Sequence, residues 1–213
     1  MAENGVHLIS TDEMTGIQAL ERAYPTKSMI PGEVKRIEFE YIRHGTLSLI
    51  ANWDIFKGQV IEPSIGRTRT EIDFANHITK TIDTDPEAGW IFMVDQLNTH
   101  MSESLVKLVA SRCQIDIDLG VKGKKGILKS MKTRRAFLSD PTHRIRFVYL
   151  PKHTSWLNQI ECWFSILTRR LLKRGEFTSI YDLSEQILKF IDYFNRTSAK
   201  PFLWKFQGFK ELN

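Results

Sequence analysis

Trp90-Ile-Phe-Met-Val94 is an unbroken apolar run bounded by Gly89 and Asp95. A run this short with no polar alternation fits a central strand covered on both faces, and such a strand needs helices on either side of it. The chain is therefore expected to be a layered α/β domain. Val6 to Thr11 reads as a short strand. Gln18 to Gly32, with Pro25, Pro31 and Gly32, reads as a long loop. Thr46 to Trp53 has strand character, Asp54 to Gly58 reads as a hairpin turn, and Gln59 to Glu62 as the return strand. Ile72, Ala75, Ile78 and Ile82 have helical spacing, and Ser102 opens a second helix through Leu105, Val106 and Val109. Arg144 to Leu150 is a strand closed by Pro151. Leu157, Ile160, Phe164, Leu167 and Leu171 mark a buried helix that Gly175 stops after a basic last turn. Ser179 and Asp182 suggest a capping box for a last helix bearing Leu183, Ile187, Ile191 and Phe194.

Composition sets limits on this outline. The 213 residues suffice for one large domain, and 42% hydrophobic with 26% charged residues is ordinary for a globular chain. The net charge of +5 is compatible with a polyanionic partner. Cys113 and Cys162 are far apart and have no zinc spacing, so two buried, reduced thiols are expected. There is no membrane-length apolar run and no signal peptide, so a cytoplasmic protein with no membrane partner is expected.

Three carboxylates carry the chemistry. Asp95 follows a buried strand, where α/β sheets place ligands, although a turn acid is an equal reading. Asp12 also follows a strand-like stretch, and on its own it reads with Glu13 as a solvated loop charge. Asp54, in its turn context, is assigned no catalysis. Glu161 borders the apolar stripe of its helix, where an unpaired carboxylate costs several kcal/mol, so an arginine or a metal ion must offset it. Carboxylates gathered at element ends suit magnesium. Two such ions would clamp a phosphodiester, one activating the attacking hydroxyl and the other stabilising the leaving oxygen. Lys122, Lys124, Lys125, Lys129, Lys132, Arg134 and Arg135 form an acid-free basic segment, with Arg169 and Arg170 in a second cluster. Both suit phosphate contacts, although either cluster alone reads better as a solvated surface. Trp156 would stack on bases, whereas Trp163 reads as core.

Four blocks, Ser10-Thr-Asp12-Glu-Met-Thr-Gly-Ile-Gln-Ala-Leu20, Val94-Asp95-Gln-Leu-Asn-Thr-His100, Pro151-Lys-His-Thr-Ser-Trp-Leu-Asn-Gln-Ile-Glu161-Cys-Trp-Phe-Ser165 and Phe194-Asn-Arg-Thr-Ser-Ala-Lys-Pro201, together resemble bacterial insertion-sequence transposases of the mariner-like superfamily (the IS-six-thirty group). The resemblance runs from about Val6 to Lys205. It implies an RNase H-like fold, with a mixed five-stranded sheet flanked by helices and a basic insertion at about 113–143 before the last strand. It also implies a catalytic and metal-binding triad of Asp12, Asp95 and Glu161 holding two Mg2+ or Mn2+ ions. The implied activity is cleavage of double-stranded DNA at transposon ends and strand transfer into target DNA, with a homodimer in the active complex and a bacterial, nucleoid-associated location. His153, Trp156 and Asn158 match the blocks and are assigned to DNA with the basic residues.

Two departures stand out. Sixty-five residues lie between Asp95 and Glu161, more than in compact members, and Gln96 stands where Asn is common. About eleven residues precede Asp12, so the helix-turn-helix domains of the family are expected to be absent. The chain is then a single isolated, truncated or split catalytic domain at 1–213. The alternatives are an inactive remnant that binds DNA or oligomerises, and a two-carboxylate sugar hydrolase, which makes no use of the basic segment.

Overall fold

The computed structural model describes residues 5–24, 40–151 and 157–201. Five strands form one mixed sheet in the order β3-β2-β1-β4-β5. They are β1 (Val6–Arg22), β2 (Tyr41–Asp54), β3 (Gln59–Gly66), β4 (Gly89–Val94) and β5 (Ile145–Tyr149). The first three run antiparallel in sequence, and β1, β4 and β5 are parallel to one another. Five α-helices accompany them: α1 (Glu71–Ile82), α2 (Glu103–Arg112), α3 (Met131–Leu138), α4 (Gln159–Leu167) and α5 (Ile180–Thr197). Among the described residues no helix is long and apolar enough to cross a membrane.

Strand alternation sorts the side chains into two cores. On β2, Ile50 joins Phe74, Ile78, Leu105 and Val106 of α1 and α2 on one face. Its neighbours Leu49 and Ala51 join Ile160, Trp163, Leu183 and Ile187 of α4 and α5 on the other. Phe92 on β4 stacks between Trp90 and Phe147, at centroid distances of 5.8 and 5.2 Å. Such pairs add about 0.5–1.5 kcal/mol each beyond their buried area. β4 is less symmetric than its apolar run suggests. Trp90, Phe92 and Val94 are fully buried, while Ile91 and Met93 are half-buried, because α4 and α5 pack chiefly on β1, β2 and β3.

β1 also differs from expectation. It does not stop at Thr11 but runs 17 residues, into the stretch from Gln18 that reads as loop. Two register shifts, between Met14 and Ile17 and between Gln18 and Leu20, break its alternation, and Gly16 at φ +67° permits the first. Pro25, Pro31 and Gly32 lie outside the described residues. The β2–β3 hairpin falls where expected, with Asp54 accepting from the backbone N–H groups of Phe56 and Lys57 at 3.0 and 2.9 Å. Gly58 in that turn, at φ +65°, lies so close to Lys200 that a Cβ there would come within 1.9 Å of the Lys200 carbonyl oxygen. Asn195 ties the same region to α5, accepting from Val60 N–H and donating to Val60 O.

The basic segment is not a free arm. It holds α3, capped by a reciprocal Ser130–Thr133 box, and its Leu128, Phe137 and Leu138 complete the first core. The last helix has its Ser179 cap, but Asp182 reaches the backbone N–H of Thr178 at 3.0 Å, so no box closes.

Candidate active site

Asp12 lies inside β1, opposite Ala51 of β2, and not at a strand end. With β2 on one side and β4 on the other, β1 is a central strand, and Asp12 is buried within it. Asp95 follows the last residue of β4 as expected. Glu161 sits in the first turn of α4, where a carboxylate favours the helix dipole. Alternation puts Ser10 and Asp12 on the α4 side of β1, and Thr11 and Glu13 on the α1 side.

The start of α4 is stapled to β1. Asn158, its N-cap, makes no cap bond of its own. Instead Ser10 Oγ accepts from Ile160 N–H at 3.0 Å and donates to Asn158 Oδ1. Asn158 Nδ2 donates to Asp12 Oδ2 at 3.0 Å and to Thr11 O at 3.2 Å. A strand residue thus supplies the cap that the helix lacks. This network sets Glu161 beside Asp12.

The electrostatics show how close the acids are. Burial pushes Asp12 up to about 7; the Glu13 backbone N–H opposes this, and the charges of Asp95, Glu13 and Glu161 reinforce it. Burial also raises Glu161, against a hydrogen bond from Asp12 and with the Asp95 charge adding to the rise. Asp12 and Glu161 therefore each bind a proton more tightly than a free carboxyl, as crowded acids do. Asp95 behaves oppositely. Burial would raise it, but His100, the Leu97 backbone N–H and the charge of Arg69 hold it below the usual carboxylate range.

His100 lies between Asp95 and Glu13. It is fully buried, with Nδ1 2.7 Å from Asp95 Oδ1 and Nε2 3.0 Å from Glu13 Oε2. Burial would lower its pKa, but the two carboxylates raise it to about 9. Glu13 is not the solvated charge that its neighbourhood in the sequence suggests: its side chain is 1% exposed.

A groove of about 660 Å3 opens beside these acids, lined by Glu13, Met14, Glu161, Phe164, Arg169 and Lys173 among others. A larger cavity, about 890 Å3, lies at the far end of the sheet around Cys113, His143 and Arg144 and holds none of the three acids.

A family model described as DDE superfamily endonuclease matches residues 7–184.

The chain belongs to the DDE superfamily endonucleases.

No curated protein matches this DDE endonuclease domain in sequence. Among solved structures it is similar to the catalytic domain of Mos1 mariner transposase, at 11% identity and a TM-score of 0.50, over 90% of this chain and 70% of that one. It is also similar to a pre-cleavage Mos1 transpososome (12% identity, TM-score 0.52) and to a Mos1 paired-end complex with the left transposon end (13%, 0.51). These cover 92% and 93% of this chain, which spans about half (49%) of the Mos1 chains in those complexes. The likeness shows a common fold, RNase H-like as the sheet order indicates.

The basic residues of the DDE domain fare unequally. Arg134 is buried, donating to Met101 O at 2.6 Å and Leu128 O at 3.1 Å, so it stabilises the fold and is not free for DNA. Arg135 lies 5.0 Å above the Tyr149 ring. Lys122 pairs with Glu71 and Glu103, and Lys125 with Asp118. Lys124, Lys129, Lys132, Arg169 and Arg170 are exposed. Asn158, assigned to DNA from the sequence, is fully buried and holds Asp12 instead. His153 and Trp156 lie outside the described residues. Trp163 is core as expected, but Cys162 is exposed and not buried. Sequence reasoning missed Ser10, Glu13 and Arg69 as parts of the site. Their signal was faint, since each is a common residue whose partner is distant in sequence.

Proposed function

We propose that this domain is the catalytic domain of a transposase of the mariner-like, insertion-sequence kind. It would cut double-stranded DNA at transposon ends and transfer the freed strand to target DNA, as a homodimer. The observation that supports the reading is that Asn158, at the start of the helix bearing Glu161, holds Asp12, on which Asp95 and Glu161 both act electrostatically. The transpososome, paired-end and strand-transfer complexes of the similar Mos1 structures support DNA as partner.

Among the described residues no group of three or more His, Cys, Asp or Glu is arranged to hold a metal ion. The chemistry of the donors nevertheless fits one. All three are carboxylates, their mutual repulsion raises Asp12, and a hard divalent cation takes oxygen ligands. Asp12, Asp95 and Glu161 would hold two Mg2+ or Mn2+ ions, which when bound supply an activated attacking oxygen and stabilise the leaving one. The chain's own groups prepare the site. Asn158 orients Asp12, His100 and Leu97 orient Asp95, and Asp12, raised to about 7, must give up its proton before it serves as a ligand. Arg169 and Lys173, at the groove beside Glu161, are placed for the phosphates of the bound strand.

The test is nicking of supercoiled DNA in Mg2+ by the parent, Asp95→Ala and Glu161→Ala proteins. Loss of cleavage in both variants is expected, and parental rates in either would end the assignment. A non-catalytic DNA-binding or oligomerising remnant is the second reading, favoured by the lack of a ready-made ligand cluster among the described residues. Mn2+ calorimetry on parent and Asp12→Ala protein separates the two.

A further inference from the structure

Asp95 uses one oxygen on the protein. Its Oδ1 accepts from Leu97 N–H at 2.9 Å and lies 2.7 Å from His100 Nδ1. Its Oδ2 makes no hydrogen bond or ion pair among the described residues, on a side chain that is 44% exposed. Behind it, His100 is held on every side. Its ring packs at 4.3 Å on Phe74, its carbonyl accepts from Tyr149 Oη at 2.7 Å, and its Nε2 meets Glu13 Oε2. Glu13 in turn lies in β1, paired opposite Ile50 of β2, and its second oxygen, Oε1, is buried without a partner among the described residues. A buried carboxylate with an unmet oxygen is costly, and nothing in core packing calls for it.

We propose that Glu13 and His100 form a buried strut that locks Asp95 so that it presents Oδ2 alone to a divalent cation. Both are positioning residues, and the inference rests on the metal-dependent reading above. The strut ties the second acid of the site to the strand that carries the first. The separation between Asp12 and Asp95 is then set by β1 and not by the loop after β4. Partners of this kind, behind metal ligands, change affinity by about 10–100-fold when removed.

Two substitutions at one position test it. In His100→Asn the amide nitrogen stands where Nδ1 stood, so it keeps Asp95 and loses Glu13. In His100→Gln the amide reaches the Nε2 end, keeping Glu13 and losing Asp95. Mn2+ binding to the full chain is measured by calorimetry, with melting followed in chelator. Each variant breaks the strut at one end, so both are expected to bind Mn2+ about 10–100-fold more weakly. A purely structural histidine would lower both melting temperatures and leave Mn2+ affinity at the parental value, which would overturn the strut. Parental affinity in His100→Asn alone would overturn it as well, because Asp95 would then be held without Glu13. Should either fail to fold, Glu13→Ala removes the far end of the strut and leaves the His100–Asp95 contact in place. Parental Mn2+ affinity in that variant counts against the proposal, and weakened affinity supports it. If the parent itself binds no Mn2+, the metal-dependent function fails first.

Discussion

Asn158 Nδ2 donates to Asp12 Oδ2 at 3.0 Å, so the residue that begins α4 holds the carboxylate of the neighbouring strand. The helix that brings Glu161 to the site also orients the acid that Glu161 must join. Ser10 closes the arrangement by capping α4 from β1.

Asn158→Ala should therefore damage both fold and site. It leaves Thr11 O and the Ser10 hydroxyl short of partners in a fully buried position. A loss of about 1–3 kcal/mol in urea unfolding is expected. Cleavage should fall by more than the unfolded fraction explains, because Asp12 loses its orienting donor. Rates measured well below the melting temperature check this.

Asp12→Asn should abolish cleavage and yet stabilise the metal-free protein. The carboxyl is pushed up to about 7 by burial and its neighbours, so the charge is a burden that the amide removes. Asn retains an oxygen that can accept from Asn158. A lower melting temperature than the parent, in chelator at pH 8, would contradict this.

Stability should decline as pH rises in the absence of metal. Asp12 binds its proton more tightly folded than unfolded, so its contribution is full below about 3.8 and is lost as pH climbs to about 7. His100, raised to about 9, contributes fully below 6.5 and loses that contribution through 9. The Asp12 part is on the order of a few kcal/mol, at roughly 1.4 kcal/mol per unit. Asp95, which is lowered, opposes this only in acid. Urea melts between pH 5 and 9 measure the slope.

Mn2+ binding should tighten as pH rises towards 7, because the ligand form of Asp12 lacks the proton. Calorimetry at pH 6 in buffers of different ionisation heat should detect proton release, and at pH 8 should detect much less. Equal release at both pH values would show that Asp12 does not give up a proton on binding.

The basic residues should separate into two kinds. Arg134→Ala removes a guanidinium bonded to two buried carbonyls, and about 1–3 kcal/mol of stability should be lost with DNA affinity unchanged. Replacing Lys124, Lys129 and Lys132 by Ala should leave melting unchanged. It should lower the salt dependence of DNA binding by about 0.9 for each phosphate that is no longer neutralised. Filter binding across a salt series reads both effects.

Much of this architecture is legible in the sequence. The β2–β3 hairpin, α1, β4, α2, β5 and α5 follow from local periodicity and caps, which act over a few residues. β1 reads too short because its bulges interrupt the alternation that a reader counts. α3 is hidden because its charge outweighs a short apolar face, although Phe137 and Leu138 sit in the core. Asn158 and Arg134 read as DNA-facing because polar residues usually face solvent. Both are buried with their hydrogen bonds met by backbone and side chains, most of them far away in sequence.

The sequence by itself determined the layered α/β class and the three acids, since apolar periodicity and the blocks around Asp12, Asp95 and Glu161 are local properties. Only the tertiary structure decided how those acids are held. Ser10 meets Asn158 across 148 residues and Glu13 meets His100 across 87. Such pairings arise when the sheet brings β1, β4 and α4 together and water is excluded, and that same exclusion pushes Asp12 up to about 7.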